Sequence, residues 1–525
     1  MYNIILLGLL IKLAYYLYIF SKIAVIISLN NMYKFLFLLL IFISSDCLSK
    51  IDTKPVLKKP NVLFISIDDL RPELGCYGKD YIHSPNIDKL ASSGIIFKNH
   101  FVQVPTCGAS RFSMLTGMLP LNRNHLKNDA FENYTSTQPL TDQPETFIHH
   151  LKNNGYYTVG IGKISHSADG LVYGYEEKPS TQKELPYSWN ELVFDSGKWK
   201  TGWNAFFGYA NGENRQSMNR QVKPYEIGNV DDESYPDGLT AKLAIDKLNE
   251  LANKDTPFFL GVGFFKPHLP FNAPKKYWDL YEEDKIAIAP YPDLPKNINQ
   301  SSLHNSGEFN GYLLGEEKAK LDKPLSDSYA RKIKHAYFAS VSYVDAQVGK
   351  VLEKLDELGL SESTIVVIWG DHGWHLGDNR TWGKHTLFER SLKSTLIIKA
   401  PQVSSKGKTA NQIVSSTDLY PTLMELCNVN MPHKTDGNSL VKIIKKPKII
   451  QSKNVSYGYY KNGISLRTEQ YRMTKYFRKS QPTIELFDLL KDPYETTNIA
   501  NENPEIISSL MPILDKGNTG LYNHN

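Results

Sequence analysis

Four short runs, Val62–Ile67, Thr158–Gly162, Phe258–Phe264 and Thr364–Trp369, consist almost entirely of apolar, mostly β-branched or aromatic side chains. A strand with one wet face alternates apolar and polar residues. An unbroken run has both faces covered, as in a parallel sheet whose crossover helices pack on either side. The intervals between the runs are long enough for those helices. Residues 331–359, ending at Gly359, place Phe338, Val341, Val344, Val348, Val351, Leu352 and Leu355 at helical spacing. The pattern predicts a wound α/β domain over residues 60–430, with a large, mostly parallel sheet flanked by helices. Over residues 431–525 it changes: Gly463–Phe477 and Thr483–Leu489 alternate apolar and polar residues, which predicts an antiparallel sheet in a smaller C-terminal domain. Two stretches without a clear period, about 180–235 and 290–330, read as long surface loops of the kind that shape a substrate site.

Residues 1–50 read as a signal or targeting region. Met32-Tyr33-Lys34 leads into the apolar run Phe35–Ile43 and then Ser44-Ser45-Asp46-Cys47. This is the form of a secretion signal, too short to span a bilayer, and it makes Met32 a candidate start. The rival reading is a membrane anchor within residues 4–29, against which Lys12 and Lys22 count. Lipid attachment at Cys47 stays open. The expected location is secreted or periplasmic. Lys plus Arg exceed Asp plus Glu by only 60 to 55, too little to argue for nucleic acid, although local basic clusters remain able to hold a small anion. No stable protein partner is indicated. Cys47, Cys76, Cys107 and Cys427 are too few and too scattered for a disulfide scaffold or a CxxC metal site.

Reactive polar residues follow three of the apolar runs: Asp68-Asp69 after Ile67, Lys163 and His166 after Gly162, and Asp371-His372 after Trp369-Gly370. Open α/β sheets bind ligands beyond the carboxyl ends of their strands, so these positions can converge. Three carboxylates in one dry place repel one another unless a divalent cation neutralises them, and oxygen donors favour Ca²⁺ or Mg²⁺. The bland alternative is that Asp68 or Asp69 caps a turn and Asp371 begins a loop. Thr106-Cys107-Gly108-Ala109-Ser110-Arg111 opens a further helical pattern. A cysteine at a helix N-terminus with Arg111 one turn later sits in a positive environment, which predicts a depressed thiol pKa. A lone Cys is otherwise a small core residue, the reading given to Cys76 and Cys427.

Cys107 to Arg111 satisfy Cys-x-Ala-x-Arg, which resembles the motif by which type I sulfatases have a cysteine oxidised to formylglycine; the commoner form carries Pro where this chain has Ala109. Asn61–Gly78, Ser84–Ala91, Gly162–His166, Lys266–His268, Tyr337–Lys350 and Trp369–Gly377 are similar to iduronate-2-sulfatase and its bacterial relatives. The resemblance covers roughly residues 60–500 and implies the alkaline-phosphatase-like sulfatase fold. It implies that Asp68, Asp69, Asp371 and His372, with the modified Cys107, hold one Ca²⁺, the His at 372 being a mark of the iduronate-2-sulfatase branch. It further implies that Arg111 holds the nucleophile and Lys163 the sulfate, that His166 is the base releasing sulfate, and that His268 protonates the leaving alcohol. Lys384 then contacts the sulfate or the leaving oxygen. His149, His150, His375 and His385 receive no role.

The implied activity is hydrolysis of sulfate esters on sugars of glycosaminoglycans or other sulfated polysaccharides. The implied partners are the sulfated carbohydrate and a formylglycine-generating or sulfatase-maturating enzyme. Two other classes compete. A phosphomonoesterase or phosphonate monoester hydrolase shares the scaffold, but phosphatases of this superfamily generally use Ser or Thr with two metal ions. A binding protein without chemistry is disfavoured, because every expected catalytic position is filled.

Overall fold

The computed structural model describes residues 2–23, 59–132, 144–401, 403, 406–449 and 454–522. It divides into residues 1–58 and a compact unit from Lys59 onward. In the first unit helix α1 spans Tyr2–Ile23; the expected signal run Phe35–Ile43 and Cys47 lie outside the described residues. Among the described residues no helix is long and apolar enough to cross a membrane.

The second unit is built on a nine-stranded sheet of β1 (Asn61–Ile67), β2 (Ile95–Phe101), β3 (Tyr157–Gly162), β4 (Glu191–Val193), β5 (Phe258–Phe264), β6 (Thr364–Gly370), β7 (Lys393–Ser394), β8 (Leu396–Lys399) and β9 (Lys408–Ser415). The central strand β1 pairs in parallel with β5 and β6; β3 joins β5, β4 joins β3 and β9 joins β2, all in parallel. Only β7 and β8 run the other way, β8 lying between β6 and β2. The sheet is therefore mostly parallel, as the unbroken apolar runs predict.

Both faces of the central strands are dry. Leu63, Ile65, Ile67, Val366 and Ile368 point into one apolar cluster, while Val62, Phe64, Ile365, Val367 and Trp369 point into another. The first cluster is covered by α2 (Pro85–Ser93), α5 (Pro236–Leu251) and α6 (Asp327–Glu357); the second by α3 (Cys107–Thr116), α4 (Phe147–Asn153) and α7 (Leu419–Leu426). Helix α6 starts four residues before the predicted 331, because Ser326 caps it by accepting a hydrogen bond from Tyr329 N. It ends as predicted near Gly359, whose φ of +67° an L side chain resists.

The C-terminal strands β10 (Ser456–Tyr460), β11 (Gly463–Arg467), β12 (Tyr471–Tyr476) and β13 (Ile484–Asp488) form the expected antiparallel sheet. Its core, closed by α8 (Pro504–Asp515), includes Val104 and Ala109. The small sheet therefore braces the segment that carries Cys107.

Register fixes where the chemistry collects. Ile67 lies opposite both Phe264 and Gly370, and Gly162 opposite Gly263, so β1, β3, β5 and β6 end together. At that edge a Cβ on Gly263 would lie 2.2 Å from the Lys163 carbonyl oxygen, whereas one on Gly261 would meet only side chains, Ile164 at 3.2 Å and the Phe259 ring at 3.3 Å. A backbone cannot yield as a side chain can. Gly263→Ala is therefore expected to cost about 1–3 kcal/mol of stability and Gly261→Ala under about 1 kcal/mol. Thermal and urea denaturation of the two variants check the ranking; equal losses would show that strand closure at Lys163 is slack.

Candidate active site

Because the strands end in register, Asp68, Lys163 and Asp371 leave the sheet side by side, and α3 brings Cys107 and Arg111 over them. Asp68, Asp69, Asp371, His372 and Arg111 are fully buried, and Cys107, Lys163 and Lys384 nearly so. Arg111 is the clamp. Its Nη2 lies 3.0 Å from Asp371 Oδ2 and 3.5 Å from Asp68 Oδ1, and Nη1 donates to Ser66 Oγ at 2.8 Å and to the Lys163 carbonyl. Lys163 Nζ completes the pairing of Asp68 at 2.5 Å. Asp69, with φ of +59°, has its amide on Asp371 Oδ1 at 2.9 Å and its carbonyl receives the Tyr337 hydroxyl at 2.8 Å, so its carboxylate turns toward Lys384 Nζ at 3.0 Å. The backbone of Lys384 is held by His304 Nε2, which donates to its carbonyl at 2.6 Å.

Ligand atoms of Asp68, Cys107, Asp371 and His372 all lie within 4.8 Å of one another, and Asp69 forms a second such group with Cys107 and His268. His372 Nε2 is 3.2 Å from Cys107 Sγ and 3.4 Å from Asp69 Oδ1. Its Nδ1 donates to the Gly373 carbonyl at 3.0 Å, which leaves the lone pair on Nε2, facing the cluster. Burial drives the Asp69 carboxyl well above its ordinary range despite Lys384, and burial with the Asp68 charge raises Asp371. Asp68 goes the other way: against its own burial, Lys163 and then His268 hold it well below. Carboxylates that resist ionising together, with one imidazole lone pair among them, form a donor set that fits a hard divalent cation.

Cys107 departs from the sequence expectation. Burial, and then the neighbouring Asp68 charge, push its thiol up to about 12, so the helix N-terminus and Arg111 do not yield a thiolate. Arg111 is already committed to Asp371 and Asp68. An unmodified Cys107 is a protonated, unreactive thiol.

The two histidines differ. Burial and then Lys163 hold His166 well below its ordinary value, and its buried Nδ1 has no hydrogen-bond partner; it is a neutral ring against Trp203, with centroids 5.3 Å apart. His268 Nδ1 donates to the Leu269 carbonyl at 2.6 Å, and Nε2 lies 3.0 Å from Glu308 Oε1. Burial and then Lys384 draw the ring down to about 4 although Glu308 opposes them, and, against its own burial, Lys384 and His268 hold Glu308 itself well below its ordinary range, so near neutral pH the pair is a neutral imidazole beside a carboxylate.

All ten residues expected from the sequence meet in this region. Glu308 is the residue sequence reasoning missed: it also takes Lys384 Nζ at 3.1 Å. It lies in the aperiodic 290–330 stretch, on a helix of only four residues, Gly307–Asn310, where no periodicity marks it. The 180–235 stretch likewise supplies Phe206, whose ring lies 4.5 Å from His268 and under Lys163 Nζ at 4.2 Å. Among the residues given no role, His375 is tied to Thr386 Oγ1 at 2.9 Å, and His385 stacks on Tyr460 with centroids 5.6 Å apart. Cys427 is buried in the second apolar cluster and Cys76 packs against the first.

A mostly parallel α/β sheet with a buried cysteine among carboxylates at its strand ends defines an alkaline-phosphatase-like hydrolase. A family model described as Sulfatase matches residues 60–429, and one described as N-sulphoglucosamine sulphohydrolase, C-terminal, matches residues 370–516. The chain belongs to the sulfatase family. It is 33% identical over 374 residues to iduronate 2-sulfatase of Mus musculus, spanning 69% of this chain and 62% of the mouse protein. To iduronate 2-sulfatase of Homo sapiens it is 31% identical over 404 residues, 71% of this chain and 70% of the human one. The solved phosphonate monoester hydrolase of Agrobacterium radiobacter superposes with a TM-score of 0.70 at 20% identity, covering 87% of this chain and 95% of that one; this likeness speaks for the fold.

Removing the clamp tests the electrostatic reading. Arg111→Met keeps the bulk but leaves Asp371 without its guanidinium, and is expected to cost about 3–5 kcal/mol by thermal or denaturant unfolding. Arg111→Lys, one ammonium in place of a fork, falls between. Wild-type stability in Arg111→Met would mean that the carboxylates are neutral in the folded protein.

Proposed function

We propose that the protein hydrolyses sulfate esters on sugars of a glycosaminoglycan or other sulfated polysaccharide, with Cys107 converted to formylglycine and one Ca²⁺ bound beside it. The observation that carries the reading is Cys107 itself: a motif cysteine, inert as a thiol, set among three buried carboxylates, an arginine and two lysines. The iduronate 2-sulfatases supply the sugar by their name. Apart from the one His372 nitrogen, the proposed cation site is one of carboxylate oxygens, and Asp68, Asp69, Asp371 and His372 would hold the ion. Four carboxylates, counting Glu308, touch only three fixed cations, Arg111, Lys163 and Lys384. A sulfate ester is an anion, and a bound dication reverses the excess negative charge that would repel it.

Cys107, once converted to formylglycine and hydrated, would supply two geminal hydroxyls, one as the nucleophile toward sulfur and one whose deprotonation would allow sulfate to leave. The chain's own groups do the rest. Arg111 and Lys163 orient the hydroxyls and the sulfate oxygens in a water-poor pocket, where fixed positive charge acts strongly on the charge that develops. His268 Nε2, 3.0 Å from Glu308 Oε1, is placed to pass a proton to the departing sugar oxygen, its protonated form being favoured by the Glu308 carboxylate and by the charge of a bound anionic ester. His166, neutral and with a free Nδ1, accepts the proton that releases sulfate. Lys384, held by Asp69 and Glu308, contacts the sulfate or the leaving oxygen. A maturating enzyme must act on Cys107 first, and the Met32–Cys47 sequence supports export to a secreted or periplasmic location. The thiol argues against the phosphatase reading, because no Ser or Thr stands in its place.

Cys107→Ala and Cys107→Ser are expected to abolish sulfate-ester turnover with the fold intact by circular dichroism, and mass spectrometry of the peptide containing Cys107 should show the aldehyde. A fully active protein with Cys107 wholly a thiol would overturn the mechanism.

The histidines separate by leaving group. His268→Ala is expected to lose about 10²- to 10⁴-fold on a sugar sulfate and far less on an activated aryl sulfate, whereas His166→Ala loses on both and accumulates sulfated enzyme. Equal losses in His268→Ala, with no trapped intermediate in His166→Ala, would reverse or remove these assignments.

A further inference from the structure

A groove of about 430 Å³ runs between Tyr81, Tyr281, Lys334, Phe338 and Tyr494. It adjoins a hollow of about 210 Å³ that reaches Lys98 and Lys393, the two sharing Arg71, Glu73, Lys79 and Arg390. No residue of the candidate active site lines either.

The acids of this groove are already spent. Glu73, 2% exposed, takes Arg71 Nε at 2.7 Å and the Tyr81 hydroxyl at 2.5 Å. Asp378 takes Arg71 Nη1 at 2.9 Å and Arg390 Nε at 3.1 Å. Glu389 is shared by Arg467, Arg472 and, at 3.7 Å, Lys393. The exposed Glu282 pairs with Lys285 at the rim. Three lysines remain from three separate elements, Lys79, Lys98 and Lys334, and no ion pair joins any of them to a described residue.

Lys334 is the decisive one. It projects from α6 into the groove and is only 6% exposed, yet its ammonium donates to a single acceptor, the Ala287 carbonyl, and lies 5.6 Å from the Phe338 ring. Burial, with Arg71 alongside, pushes it down to about 8. A buried ammonium without a counter-ion is costly, and the cost is recovered when an anion arrives. The rim supplies the other half of a binding site: Tyr81 and Tyr494 are 46% and 39% exposed, with Lys79 Nζ 5.8 Å and the Arg390 guanidinium 5.3 Å from their ring centroids. A flat aromatic face beside a cation suits a pyranose ring bearing an anionic group, the C–H face on the ring and the anion on the lysine. Exposed aromatics set singly among lysines, on a chain of small net charge, do not suit a nucleic-acid backbone.

We propose that this groove is a second carbohydrate-binding site, which seats the anionic group of a sulfated sugar on Lys334 and Lys79 and the sugar ring against Tyr494 or Tyr81. It lies apart from the catalytic pocket and gives the protein a hold on a polymer beyond the residue being cleaved. Binding here needs no turnover, so it is measured whether or not the proposed catalysis is right.

The test is calorimetric titration of the full-length protein with a size-defined heparin hexasaccharide, its desulfated counterpart that keeps the carboxylates, and inorganic sulfate. Lys334→Met, which keeps the apolar stem, and Tyr494→Ala, at the exposed rim, are each expected to weaken one binding phase about tenfold or more. The desulfated hexasaccharide should bind more weakly than the sulfated one, and inorganic sulfate should compete only at much higher concentration. Lys334→Met should also keep or raise the melting temperature, since a lysine with a structural role would lower it. Affinities within twofold of wild type for every phase in both variants would overturn the proposal. So would inorganic sulfate competing as well as the hexasaccharide, which would make the groove an ion site without a sugar.

Discussion

Everything at the catalytic end of this protein depends on one electrostatic problem: three aspartates, Asp68, Asp69 and Asp371, are fully buried within a few ångströms of each other. Charges taken out of water must be compensated locally. Arg111 answers for Asp371 and Asp68, Lys163 for Asp68, and Lys384 for Asp69. Each of these cations comes from a different part of the chain, so solving the charge problem also ties α3, the end of β3 and the segment after β6 to the end of β1. Compensation and assembly of the site are the same set of contacts.

The parts read correctly from the sequence are those written into local pattern. An unbroken run such as Phe258–Phe264 needs two dry faces, and the fold gives it two apolar clusters. A polar pair directly after such a run, Asp68-Asp69 or Asp371-His372, must appear at a strand end whatever the rest of the topology. The antiparallel β8 was not legible: Leu396–Lys399 is four residues long, and its direction is set by pairing with β6 and β2, far away in sequence. Glu308 and Phe206 were hidden for a related reason. They sit in short elements inside long connections, where burial is imposed by the site they cover and leaves no period in the chain.

The pKa expectation for Cys107 failed for a different physical reason. Position at a helix N-terminus, with an arginine one turn on, describes the neighbours along the chain. The thiol instead responds to neighbours in space, and those are its burial and Asp68. The same spatial logic separates the two histidines. Burial lowers both, but His166 faces Lys163 with its Nδ1 unpartnered, while His268 is set between Lys384 and Glu308, whose carboxylate favours the protonated ring. Two imidazoles of equal intrinsic basicity thus become suited to opposite tasks.

The division of labour follows from how each layer is held. The sheet edge cannot move without breaking β-pairing, and it carries the groups that must be fixed: the carboxylates, Arg111 through α3, and Lys163. The loops of residues 180–235 and 290–330 carry Phe206 and Glu308, which close over His268 and Lys384 from outside. A change of sulfated sugar requires a change in what covers the site, whereas the sulfur chemistry requires the floor to stay as it is. On the proposed mechanism, loop substitutions around Glu308 are expected to alter which alcohol leaves, because Glu308 lies against His268 and Lys384. Substitutions at the strand ends disturb the charge balance that every substrate shares.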